Sequence, residues 1–154
     1  MWCPRHNARF MAYSALKLLA ARMRDAIIAL PHEKLPLQMS LFPRGACGDA
    51  SLLLGAYLID CGHMGFEYVS AVRGEMADST WTTHAWLARG DLVIDITADQ
   101  FPDAPAGVIV DSPSLWHQQF DAAEGEPSDF RLWNGPGISH LVSMYSILRP
   151  ALFR

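Results

Sequence analysis

The chain has 154 residues, of which 51% are hydrophobic and 18% are charged, and its formal net charge is −4. This length and apolar content predict a single domain over residues 1–154 with a substantial core. The small acidic charge offers no basic surface for nucleic acid or for an anionic membrane, so we expect neither as a partner.

The cysteines and the N-terminal segment indicate a cellular compartment. Three widely spaced cysteines do not make a disulfide framework, which favours a reducing environment. The N-terminal segment lacks a signal-peptide pattern, because its apolar run is interrupted by Lys17 and flanked by Arg22 and Arg24. No run reaches the roughly 18 apolar residues of a membrane span. We therefore expect a cytoplasmic protein, although an effector exported without a cleaved signal would have the same features.

Two helices are predicted in the first 60 residues. Residues 8–30 carry an apolar stripe that Pro31 ends, which predicts an amphipathic scaffold helix. Prolines between residues 31 and 45 predict a loop. From Cys47 to Ile59 the chain is apolar on nearly every side, so we expect a buried helix that begins just after Gly45.

Cys47 lies in the first turn of that second helix. Free backbone N–H groups and the positive end of the helix dipole favour a thiolate or an oxyanion there. Asp49 would raise the pKa of the thiol unless its carboxylate points to solvent. Cys61, at the other end of the same helix, is interpreted as a small buried hydrophobe.

Three antiparallel strands are predicted at residues 66–73, 81–88 and 92–97. A two-residue turn at Arg89 and Gly90 would place His84 directly opposite Asp95. Opposed residues share a face with Cβ atoms roughly 4.5 to 5.5 Å apart, which suits an imidazole–carboxylate hydrogen bond. The pattern thus predicts a Cys47-His84-Asp95 catalytic triad. In the alternative interpretation, His84 is a surface histidine and Asp95 caps a turn.

This ordered pattern resembles a known family over about residues 44–101. Cys47 opening a buried helix, the strand at residues 66–69, His84-Ala85-Trp86 and Asp95-Ile96-Thr97 are similar to the core of the transglutaminase-like cysteine enzymes. The resemblance implies an α+β, papain-like fold in which the catalytic helix packs on an antiparallel sheet. It also implies that Cys47 is the nucleophile, His84 its base and Asp95 the group that orients the base.

The resemblance also suggests further site residues. Residues 44–47 are similar to the motif of the arylamine N-acetyltransferases, although that motif has one more residue between its arginine and its cysteine. Gln38 is the candidate oxyanion donor, because papain-like proteases have an upstream glutamine, and Gln100 is less favoured. Arg44, Trp86 and Gln100 are candidates for substrate binding. Trp86 could equally belong to the core, as could Trp81, Trp116 and Trp133.

The segment after residue 101 is less regular. Residues 108–110 could form a strand, residues 114–122 a short helix capped by Ser114, and residues 124–128 a turn. Residues 138–148 fit a helix or a strand, and the sequence leaves both open.

These features predict a cysteine-dependent acyl-transfer enzyme, foremost an amide hydrolase such as a peptidase or a deamidase. Its substrate would be a protein or peptide amide, or a small acyl donor. We expect no cofactor and no metal, because Cys47, Cys61 and His63 lack the paired spacings of zinc sites. A transglutaminase or N-acetyltransferase with the same triad is the first alternative. A non-catalytic binding module that keeps the fold is the second.

Overall fold

The computed structural model describes residues 4–154, with side chains from residue 9 onward. Cys3, one of the three cysteines counted above, lies outside the described residues. The helices are α1 (Pro4–Ile28), α2 (Cys47–Asp60) and α3 (Ser139–Leu152). The strands are β1 (Glu67–Arg73), β2 (Thr82–Arg89), β3 (Leu92–Asp95), β4 (Ile109–Asp111), β5 (Asp121–Ala122) and β6 (Glu126–Pro127). The described residues thus form an α+β structure, which confirms the predicted class.

All six strands belong to one antiparallel sheet. Its order is β4-β3-β2-β1-β5, and β6 also pairs with β1. Because side chains alternate along a strand, the two faces of this sheet have different neighbours. Leu87 and Ile94 face the helices, whereas Trp86 and Val93 face a smaller core built around Trp116.

Helix α2 is the central element of the larger core. Every residue from Ala50 to Leu58 is buried, as its all-round apolar sequence predicts. Helices α1 and α3 and strands β1 and β2 all contact it. Helix α2 is therefore packed against the sheet and against both other helices.

The β2–β3 hairpin differs from the predicted register by two residues. Arg89 pairs with Leu92 and Leu87 with Ile94, so the turn residues are Gly90 and Asp91. Gly90 adopts a φ of +58°, which a first turn position of type II′ requires. The prediction that His84 lies directly opposite Asp95 is therefore wrong. Since side chains alternate with a period of two, the shift keeps both residues on one face, as diagonal neighbours.

The C-terminal third contains further corrections. The helix predicted at residues 114–122 is wrong, because only His117–Gln119 form a single 3-10 turn before β5 pairs with β1. The turn predicted at residues 124–128 contains the short strand β6. The strand near residues 108–110 is confirmed as β4, and the ambiguous segment at 138–148 belongs to helix α3. None of the helices over residues 4–154 combines the length and hydropathy that crossing a bilayer requires.

Candidate active site

The first turn of α2 presents Cys47 without a capping side chain. Gly45 has a φ of +68°, and Ala46 at the N-cap provides no side-chain hydrogen bond. The N–H groups of this turn and the helix dipole therefore favour negative charge beside the half-buried Cys47. The Asp49 carboxylate is held by His140 of α3, with Nε2 and Oδ2 2.7 Å apart.

His84 and Asp95 form a buried hydrogen bond across the hairpin. His84 Nε2 lies 2.6 Å from Asp95 Oδ2, and each residue is only 1% exposed. The predicted hydrogen bond is therefore confirmed, although its residues are diagonal rather than opposed. The alternative of a surface histidine beside a capping aspartate does not fit this burial.

The other ring nitrogen of His84, Nδ1, faces the side chain of Gln100. Because Nε2 is engaged by Asp95, and the pKa values of His84 and Cys47 depend on one another, we assign proton exchange with Cys47 to Nδ1. Burial lowers the pKa of His84, but hydrogen bonds and charge from Asp95 and Cys47 outweigh it and raise this pKa to about 9. Burial raises the pKa of the Cys47 thiol, but hydrogen bonding and charge from His84, with smaller contributions from Gln100 and the Ala85 backbone, lower it overall. Both shifts favour a thiolate–imidazolium pair.

Gln100 lies inside the site, whereas the other predicted accessory residues do not join it. The short 3-10 turn Ala98–Gln100 follows β3 directly and brings Gln100 Nε2 to 2.9 Å from His84 Nδ1. Gln38 and Arg44 are exposed, and neither has a side-chain hydrogen bond within the described part of the chain. Trp86 is buried on the sheet face opposite helix α2, where its ring lies 4.7 Å from that of His117. Trp86 is therefore a core residue, as the alternative interpretation held.

Two residues that the sequence analysis did not assign to the site complete its polar network. His117 Nε2 lies 2.8 Å from Asp95 Oδ2, the oxygen that His84 also contacts, and Ser114 Oγ lies 2.7 Å from His117 Nδ1. The Thr97 backbone N–H donates to the other carboxylate oxygen, Oδ1, at 2.8 Å. An ionised carboxylate only accepts hydrogen bonds, so in this network Nε2 of each imidazole carries a hydrogen and donates it to Asp95. Ser114 then donates to Nδ1 of His117 and fixes the tautomer that holds Asp95.

On the sheet face opposite helix α2, aromatic side chains enclose the imidazole of His84. Its ring centroid lies 5.0 Å from that of Phe101, 5.7 Å from that of Phe120 and 5.8 Å from that of Trp116. Arg73, which is paired with Asp103 at 2.8 Å, covers the Phe120 ring at 4.6 Å. This wall fixes the plane of the imidazole, whose Nδ1 edge faces Gln100.

Between residues 9 and 154, only one group of side chains has the composition of a metal site, namely His84, Asp95 and His117. The ligand atoms of His84, Asp95 and His117 all lie within 4.8 Å of one another. Ligands around zinc would stand about 3.3 Å apart at usual Zn–N and Zn–O distances. The separations of 2.6 and 2.8 Å are instead those of N–H···O hydrogen bonds. The geometry therefore fits two imidazoles sharing one carboxylate.

The Asp95 carboxylate should make stability fall in acid. Burial raises its pKa, but hydrogen bonds from His117, His84 and Thr97 outweigh burial and lower this pKa to about 2. An unfolded aspartate has a pKa of about 3.9, so the contribution is full above about pH 4 and is lost towards pH 2. The loss in free energy of unfolding should be on the order of 2 kcal/mol, measurable by urea denaturation across this pH range. A ¹³C carboxyl titration of Asp95 with a midpoint near 4 would contradict this expectation.

No protein-family model, curated protein or solved structure matches this chain. The chemical interpretation of the site therefore depends on the distances, burial and charges of its own residues. A thiol with a lowered pKa, a base with a raised pKa and a buried carboxylate, joined in that order, can carry out nucleophilic chemistry.

Proposed function

We propose that this protein is a cysteine-dependent acyl-transfer enzyme, foremost an amide hydrolase, with a papain-like fold of the transglutaminase-like type. Cys47 is the nucleophile, His84 the general base and acid, and Asp95 the group that orients His84. One observation carries the proposal. A buried imidazole, hydrogen-bonded to a carboxylate at 2.6 Å, lowers the pKa of a cysteine at the uncapped start of a buried helix.

The reaction takes two steps. The Cys47 thiolate attacks the carbonyl carbon of an amide, a C–S bond forms, and the carbonyl π electrons move to oxygen. As the tetrahedral species collapses, the C–N bond breaks and His84 Nδ1 gives its proton to the leaving nitrogen. Water then gives a proton to His84 while attacking the acyl carbon. The C–S bond breaks, a carboxylic acid leaves, and the thiolate–imidazolium pair is restored.

The acyl acceptor distinguishes the enzyme candidates. Water gives a peptidase or a deamidase, a lysine amine gives a transglutaminase, and an arylamine gives an N-acetyltransferase. We favour hydrolysis because a domain of 154 residues leaves little room for a dedicated second-substrate site. The substrate is then a protein or peptide amide, or a small acyl donor, and we place the protein in the cytoplasm.

The binding-module alternative must account for the buried polar network. Taking Asp95 and two histidines out of water costs free energy that their hydrogen bonds only partly repay. Apolar residues of similar volume could fill the same space at no such cost. The presence of this network is therefore better explained by chemistry at Cys47 than by a scaffold role.

Selective alkylation tests the activated thiol. Iodoacetamide should label Cys47 at about pH 6, well below the free-thiol pKa of about 8.5, because its pKa is lowered. Cys61 should stay unlabelled in the folded protein, since burial is the main cause that raises its pKa. Peptide mapping after a brief pulse measures each cysteine separately, and labelling in denaturant is the control. Equal labelling of Cys47 and Cys61 in the folded protein would contradict an activated thiolate.

A further inference from the structure

Acyl transfer needs a donor for the oxyanion besides the backbone N–H of Cys47. Gln100 Nε2 is already engaged with His84 Nδ1. Another polar group lies on the sheet face that meets α2. Tyr68 of β1 pairs with Leu87 of β2, on the same face as Ala85, whose backbone helps to lower the pKa of Cys47.

The Tyr68 hydroxyl closely approaches the first turn of α2. A Cβ atom built on Gly48, the residue after Cys47, would lie 3.1 Å from Tyr68 Oη. That distance is shorter than most contacts of real Cβ atoms. The absence of a side chain at Gly48 therefore leaves room for the Tyr68 hydroxyl. The phenol therefore lies beside the helix terminus where a bound carbonyl would meet Cys47.

The Tyr68 ring is fixed, while its hydroxyl is free to bind a ligand. Trp133 packs edge-on against Tyr68 with ring centroids 5.5 Å apart, and its own indole N–H donates to the Pro127 carbonyl at 2.8 Å. Across residues 9–154 the Tyr68 hydroxyl has no hydrogen-bond partner. The side chain is thus a preorganised donor without an acceptor in the protein.

The charge state of Tyr68 suits donation. Burial, followed by the charges of Cys47, Glu126 and Asp49, raises the pKa of Tyr68 to about 12. The phenol therefore keeps its proton at neutral pH.

We propose that Tyr68 is a catalytic residue whose hydroxyl, with the Cys47 N–H, hydrogen-bonds the oxyanion formed when Cys47 attacks a carbonyl. This inference rests on the proposed acyl-transfer function. As the C–S bond forms, the carbonyl π pair moves to oxygen and is stabilised by the two donors. Tyr68 keeps its proton throughout. When the electron pair returns, the C=O bond forms again and the bond to the leaving group breaks.

Two reactions at Cys47 test this role. Acetylation by p-nitrophenyl acetate passes through an oxyanion, whereas alkylation by iodoacetamide does not. Tyr68→Phe should slow acetylation by about 10²- to 10³-fold, the usual effect of losing one oxyanion donor. Its alkylation rate and pH profile should match the wild type. Gly48→Ala should also slow acetylation, since the added methyl displaces the hydroxyl.

Tyr13→Phe is the matched control. Tyr13 is half-buried like Tyr68, but its hydroxyl accepts a hydrogen bond from Arg9 on α1. It should acetylate at the wild-type rate. If wild type is acetylated and Tyr68→Phe is acetylated equally fast, the Tyr68 role is overturned while the proposed function stands. Faster alkylation of Tyr68→Phe would also overturn it, because the hydroxyl would then be a partner of the thiolate. Absence of acetylation at Cys47 in the wild type would instead overturn the proposed function.

Discussion

Replacing Asp95 with asparagine is expected to slow acylation of Cys47 by about 10⁴-fold, the order seen when a triad aspartate is changed to its amide. Asp95 accepts hydrogen bonds from His84 and His117 at Oδ2 and from the Thr97 backbone N–H at Oδ1. Asparagine offers one acceptor and one NH₂ group in the same shape. Whichever way the amide is oriented, its NH₂ group faces hydrogen-bond donors, either those of the two histidines or that of Thr97. If its NH₂ faces His84, the ring must carry its proton on Nδ1, which can then no longer accept one from Cys47.

The rate of acylation of Asp95→Asn by p-nitrophenyl acetate measures this effect, with the melting temperature as the folding control. The variant should remain folded, because asparagine keeps the shape and one acceptor, and a mismatch costing about 1–3 kcal/mol is smaller than a usual domain stability of about 5–15 kcal/mol. Asp99→Asn is a matched variant, since Asp99 lies close in sequence but is paired with Arg24 rather than with the triad. A folded Asp95→Asn protein that is acylated at the wild-type rate would show that Asp95 does not orient His84.

Replacing Cys47 with alanine is expected to abolish acylation altogether. The sulfur is the atom that forms the covalent bond, so no neighbouring group can substitute for it. Removing one half-buried thiol should have only a modest effect on packing. Turnover of a chromogenic ester and adduct formation, each compared with the wild type, measure the loss.

Cys61→Ala is the matched control for Cys47→Ala. Both residues lie at ends of the buried part of α2 and both are half-buried, but Cys61 is far along the helix from His84. Cys61→Ala should retain full activity. If folded Cys47→Ala protein keeps a cellular phenotype or partner binding unchanged, the binding-module alternative replaces the enzyme.

The central features of the site could be predicted from sequence because they depend on local patterns. The all-round apolar run after Gly45 places Cys47 at a helix start. The pairing of His84 with Asp95 was predicted with a turn that is wrong by one residue and a register that is wrong by two. The two side chains still meet, because a shift of two preserves the face and a diagonal imidazole can reach the carboxylate.

The remaining site residues depend on contacts that no short sequence pattern encodes. His117 lies 22 positions after Asp95, in a segment that resembles a capped helix. Only one helical turn forms in that segment, because Phe120 packs against the sheet and Ala122 pairs with Ala71. Nothing in the sequence distinguishes Tyr68 from other aromatic residues of the strands. Only the folded chain brings its hydroxyl to Gly48.

The most direct test of the central claim is the mass of the wild-type protein after brief exposure to p-nitrophenyl acetate and an acid quench. Intact mass followed by peptide mapping reports whether an acyl group is captured and where. We predict one acetyl group, on the Cys47 peptide, formed between about pH 6 and 9 and absent from the Cys61 peptide. No adduct at Cys47 anywhere in that range, with the protein folded, would contradict the proposed enzyme.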